Sequence, residues 1–93
     1  MTYAVVSVHS PHAEHREAVI DSMQPYSRVA RSQPGLVWTG VVDDADGRLV
    51  GVAVWDSAEA AKAASPALMA EVGDDPFTTW DERPIDSLRG DVV

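Results

Sequence analysis

The strongest constraint on this chain is a pair of short segments that are apolar on both of their faces. Tyr3-Ala4-Val5-Val6-Ser7-Val8 is β-branched and short and reads as a strand, with Tyr3 and Val5 alternating with Ala4, Val6 and Val8. Leu49–Trp55 reads as another, with Val50, Val52 and Val54 alternating with Leu49, Ala53 and Trp55. A strand with one wet face should alternate apolar with polar residues. These strands do not, so both sides of the sheet they build require cover.

Two helical segments are available for that purpose. Ser10-Pro11 reads as a helix start, with Ser10 as N-cap and Pro11 at the first helical position, where its missing N–H costs nothing. His12, His15, Val19, Met23, Tyr26 and Ala30 then fall on one stripe at helical periodicity. Pro25 should break or kink this helix, but the stripe keeps its phase across it, which predicts a kinked helix or two helices in line. Pro34-Gly35 ends the segment.

Residues 36–42 read as a second strand, and Asp43-Asp44-Ala45-Asp46-Gly47 as the hairpin turn that makes Leu49–Trp55 its antiparallel partner. Asp56, with Glu59 three residues on, suggests a capping box before the helix-favouring run 58–64. Ser65-Pro66 reads as a second cap and start, so this helix is expected in two pieces reaching about Val72. Gly73-Asp74-Asp75-Pro76 is a loop. Residues 77–85 are expected as a fourth strand, with Pro84 at an edge, and everything from about Asp86 to Val93 as a tail.

Strand, helix, strand, strand, helix, strand is the βαββαβ order of an α+β, ferredoxin-like fold. Right-handed crossovers place both helices on one face of the four-stranded antiparallel sheet. The opposite face is then the uncovered apolar one. Eight mostly polar residues of tail are too few to cover it, so the expectation is a homodimer formed through the open sheet face.

Ninety-three residues make one domain, 1–93, and a chain this short is marginal alone. Seven basic against fifteen acidic side chains give a formal charge of −8. Phosphate backbones and anionic membrane surfaces would be repelled by it, and no basic patch is visible: only Arg28 and Arg31 lie close together. The absence of cysteine removes disulfides, thiolate catalysis, zinc–thiolate sites and iron–sulfur clusters. Nothing resembles a signal peptide, and the longest apolar run is far below the ~18 residues of a membrane span. The expectation is a cytoplasmic protein without a nucleic-acid or membrane partner.

Certain residues carry a family resemblance. Pro34-Gly35 entering the second strand, and Val54-Trp55-Asp56-Ser57-Ala58-Glu59-Ala60 leading from the third strand into the second helix, resemble the antibiotic-biosynthesis-monooxygenase family over residues 3–85. The resemblance implies a dimeric α/β barrel with a pocket between sheet and helices in each protomer. It also implies cofactor-free oxygenation of phenolic or quinol-like polycyclic compounds. The haem-cleaving branch uses an asparagine in the first strand, a tryptophan inside the second helix and a histidine late in it. This chain has Ser7, Ala63 and Ala64, and no histidine after His15, so haem degradation is disfavoured. The histidine that quinol-oxidising relatives carry early in the second helix is missing as well.

Cofactor-free oxygenation needs a base, because deprotonating a phenol raises its electron density enough to pass an electron to dioxygen. His9, His12 and His15 are all the histidines present, and imidazole titrates near working pH. His12 and His15 share the stripe of Val19 and Met23, so these two, with His9 nearby at the end of the first strand, are the candidate catalytic residues. Their plain alternative is that of solvated polar residues at a helix start. No metal site is expected: Glu14 points away from His12 and His15, and the acidic turn lacks the ligand spacing of a calcium loop. Tyr26, Trp38 and Trp55 are the candidate substrate-binding residues, aromatic walls for a flat molecule. Against this enzyme reading stands a non-catalytic module that holds a small apolar molecule in the same pocket.

Overall fold

A computed structural model describes all 93 residues, Met1–Val93. Strand β1 (Tyr3–His9) leads through an extended stretch and a 3-10 turn (Ala13–His15) into helix α1 (Arg16–Arg31). Strands β2 (Leu36–Asp43) and β3 (Leu49–Trp55) form the hairpin, followed by helix α2 (Ala58–Val72), the single-turn helix α3 (Phe77–Trp80) and strand β4 (Asp86–Asp91). The sheet runs β2-β3-β1-β4 with every neighbouring pair antiparallel, the strand order of the ferredoxin-like fold. No helix is long and apolar enough to cross a membrane.

The hairpin forms as its sequence demands. Gly47 takes the positive φ of 85° that the turn requires, and its N–H donates to the Asp44 carbonyl at 2.9 Å. Gly35, at φ 87°, supplies the second left-handed position between α1 and β2.

Four expectations about local structure are corrected. The first helix does not start at Pro11: Ser10 caps nothing, Pro11 makes a bridge to Asp81, and α1 begins at Arg16 after the 3-10 turn. Helix α2 continues through Pro66 and is not in two pieces, while α1 is a single helix across Pro25, the first of the two forms that the phase of its stripe allowed. The α2 cap is Ser57, whose hydroxyl accepts from the Ala60 N–H at 3.1 Å, one residue beyond the expected Asp56. The fourth strand is the segment read as a tail, because β4 begins at Asp86 whereas Phe77–Trp80 is helical. Its polar composition is tolerated because an edge strand needs only one partner ladder, here with β1.

One face of the sheet packs on both helices. Ala30, Ala53, Trp55, Ala64 and Leu68 join α1, β3 and α2 in one buried cluster, and Val19, Met23 and Leu49 form a second, against which Phe77 and Trp80 pack. Only 13 of the 93 residues are buried, a small core for the chain's length. The opposite face is a continuous apolar surface. Strand register aligns three rows across it, Trp38–Val54–Ala4 and Val42–Val50–Val8 over β2, β3 and β1, and Val52–Val6–Leu88 over β3, β1 and β4. Trp38 is 52% exposed and Leu88 62%.

Candidate functional site

Between the packed face of the sheet and the helices lies a cavity of about 320 Å³, at the lower end of the range that small-molecule sites occupy. The even spacing of strand side chains builds its floor: Val5, Ser7 and His9 point the same way from β1, and Gly51 and Ala53 do so from β3. Gly51 keeps that floor low, because a Cβ there would come within 3.1 Å of both the Ser7 hydroxyl and the Met23 methyl. Helix α1 contributes Ser22, Met23, Tyr26 and Ser27, and α2 contributes Met69 and Val72. Phe77 closes one end, and Ser87 and Arg89 enter from β4.

At that end stands the one buried acid–base pair of the molecule. His9 Nδ1 lies 3.1 Å from Asp81 Oδ2, with the two residues 5% and 6% exposed. The His9 ring also packs against Phe77, centroids 5.1 Å apart. An ionised carboxylate only accepts, so with neutral imidazole the Nδ1 carries the proton and Nε2 holds the free lone pair. Nε2 has no protein partner. The single buried side-chain polar atom left without one is Asp81 Oδ1.

Tyr26 is a further titratable group in the cavity wall. Burial raises its pKa above the ordinary 10.0, an effect that the positive charge of Arg89 partly opposes. Its phenol therefore stays protonated through the neutral range, a hydrogen-bond donor on an otherwise largely apolar wall. The loop before α3 is tied down beside it, since Ser22 donates its hydroxyl proton to Asp75.

The structure brings together two of the six residues singled out from sequence, His9 and Tyr26. His12 and His15 line no part of the cavity. The helix they were assigned to starts after them, so they lie in the extended stretch and 3-10 turn, their rings 6.2 Å apart, and His12 is 3.9 Å from Glu82 near the surface. Trp55 does point to the helical side but is 1% exposed in the core beneath α2, with no face toward the cavity. Trp38 points to the other side of the sheet altogether and lies across Gly40, where a Cβ would come 2.7 Å from its ring. The bulge between Leu36 and Trp38 sets this phase, and a bulge is not legible in hydrophobic alternation. Nowhere do three or more histidine or acidic side chains gather as a metal-binding group.

Sequence reasoning missed Asp81, Ser22, Ser27 and Arg89. Asp81 gave no local signal, because a bridge to Pro11, 70 positions away in the chain, is what carries it inward.

No family model matches the sequence, and no curated protein matches it. Solved structures do match in fold. Rv0793 from Mycobacterium tuberculosis is 19% identical, with a TM-score of 0.86 over 100% of this chain and 96% of that one. SnoaB, a cofactor-independent oxygenase from Streptomyces nogalater, is 14% identical, with a TM-score of 0.80 over 99% of this chain and 93% of that one. A crystal structure of an antibiotic biosynthesis monooxygenase is 14% identical, with a TM-score of 0.76 over 98% of both chains. The fold is thus the one found in antibiotic biosynthesis monooxygenases, as the resemblance in the sequence implied.

Proposed function

We propose that this protein is a cofactor-independent monooxygenase of the cytoplasm, acting as a homodimer on a small aromatic or polycyclic phenol or quinol. The observation that carries the reading is the buried His9–Asp81 pair at the end of a largely apolar cavity. Asp81 fixes the tautomer and ring orientation of His9, and leaves Nε2 as the base.

The chemistry follows from that assignment. His9 Nε2 takes the phenolic proton, and Asp81 stabilises the imidazolium that results. The reacting phenol is the enol tautomer of a cyclic ketone, so the former methylene is a ring CH. The phenolate passes one electron to dioxygen. The superoxide and phenoxyl radical so formed combine at that CH carbon, which makes the carbon–oxygen bond and restores the ring ketone. The peroxide O–O bond then breaks. Water leaves, made from the terminal peroxide oxygen, the proton held by His9 and the hydrogen remaining on that carbon, which becomes a carbonyl. Overall one CH2 and one O2 give one C=O and one H2O, with all four electrons drawn from the substrate. The Tyr26 phenol serves to hold an oxygen of the bound ring, and Met23, Met69 and Phe77 supply its apolar contacts.

Oxygen uptake with a panel of hydroxylated tricyclic phenols and quinols tests the proposal. Uptake matched to ketone product, lost in His9→Gln while binding of the same compound persists, is the expected result. A saturable thermal shift with no uptake in the native protein would instead make it the non-catalytic binding module.

A further inference from the structure

The cavity does not end at the helical layer. A groove between α1 and the edge strand β2 adjoins it, sharing Met23, Ser27, Gly40 and Val41. Along α1 the groove is lined by Ile20, Gln24 and Ser27, and then by Arg28 and Arg31, three residues apart on the last turns of the helix. Neither arginine belongs to an ion pair, and neither does Arg89 in the adjoining cavity; the paired arginines are Arg16, with Asp43, and Arg48, with Asp44.

The distribution of charge is the informative part. The chain carries 15 carboxylate side chains against 7 basic ones. Yet among the 20 residues that line the cavity and the 8 that line the groove there are three arginines and no aspartate or glutamate. The one buried carboxylate, that of Asp81, is engaged by His9, and that of Asp75 by Ser22. A surface that is acidic elsewhere thus has a locally positive concavity, and that concavity continues the proposed substrate cavity.

We infer that the ligand carries an acidic group, a carboxylate on an aromatic skeleton, and that Arg28 and Arg31 receive it while the apolar rings occupy the cavity. Guanidinium forks match carboxylate geometry and discriminate it from a neutral isostere. The inference rests on the reading above of the cavity as a small-molecule site, and adds to it the specificity residues and the charge of the substrate. A cation in the last turn of a helix also favours the helix dipole, but that role is indifferent to what the groove binds.

The experiment measures affinity for a tricyclic aromatic carboxylic acid and for its neutral amide. Native protein, Arg28→Gln/Arg31→Gln and Arg83→Gln are compared, the last altering an arginine outside both linings. The native protein should prefer the acid by about tenfold or more at low ionic strength. That preference should shrink with added salt, vanish in the double variant and persist in Arg83→Gln, with amide affinity unchanged throughout. Equal affinity for acid and amide, or a preference that survives the double substitution, overturns the inference and leaves the oxygenase reading to the His9 test. Failure of both compounds to bind in competition with an active phenol also overturns it; failure of every phenol and quinol to bind removes the underlying reading as well.

Discussion

His9 and Asp81 are 72 positions apart in the chain, yet the backbone holds their side chains together before either side chain bonds. The His12 N–H donates to the Trp80 carbonyl at 2.9 Å, and the Glu82 N–H donates to the Ser10 carbonyl at 2.8 Å. Pro11 and Asp81 sit opposite one another in that two-strand bridge. Residues 10–12 and 80–82 are therefore stitched on both sides of the pair, so its geometry should survive a change of side chain.

This separates the roles of the pair. Asp81→Asn keeps the shape and one acceptor but no longer dictates the imidazole tautomer. Oxygen-uptake turnover is expected to fall by about a hundredfold or more with only a small loss of stability. Asp81→Ala leaves a buried imidazole without its partner and should lower unfolding free energy by about 1–3 kcal/mol in urea titration. Equal losses of turnover and stability in both variants would mark the pair as structural.

Much of the fold was legible, and the reasons differ from element to element. Leu49–Trp55 was read with its observed bounds because a β-branched run between an Asp-Gly turn and a cap has no competing interpretation. The fourth strand was misplaced because residues 77–85 carry the aromatic and β-branched residues that a strand is expected to show, whereas β4 is Asp-Ser-Leu-Arg-Gly-Asp. An edge strand needs ladder geometry more than apolar content, and ladder geometry is set by the partner, β1. The site was half legible for a related reason. His9 follows from its place at the end of the first strand and Tyr26 from helical phase, but Asp81 is brought to His9 by a non-local bridge with no signature of its own.

Tyr26 gives the cavity a pH signature. Its pKa is raised by burial, so the folded state keeps the phenolic proton where the unfolded chain has begun to release it. The contribution is fully present below the unfolded value of about 10 and is lost as pH rises through the folded pKa. Stability measured by urea unfolding should decline on the alkaline side of pH 10, and Tyr26→Phe should flatten that decline. A slope identical in both proteins would assign the alkaline loss to other groups.

The open sheet face predicts self-association. Sedimentation equilibrium of the native protein should give twice the 10.0 kDa chain mass. Trp38→Lys/Leu88→Lys introduces charge at two positions already more than half exposed within one chain, so the protomer should keep its far-ultraviolet circular dichroism while the mass falls to that of a single chain. A native protein that sediments as a single folded chain would remove the homodimer from the proposal.

Gly35 and Gly47 share a left-handed backbone, with φ of 87° and 85°, but not a neighbourhood. A Cβ on Gly47 meets open space, whereas one on Gly35 would lie 2.7 Å from the Ala60 Cβ, at the point where β2 starts beneath α2. Gly47→Ala should therefore show backbone strain alone, about 1–2 kcal/mol. Gly35→Ala adds a clash between two elements that also meet through the Asp56 N–H and the Gly35 carbonyl at 2.7 Å, and should lose about 2–4 kcal/mol in all. In an Ala60→Gly background the opposing methyl is gone, and the further loss on Gly35→Ala should drop to the Gly47→Ala value. A double-mutant cycle by urea unfolding checks this, and a coupling energy near zero would show that α2 moves aside to accept the extra methyl.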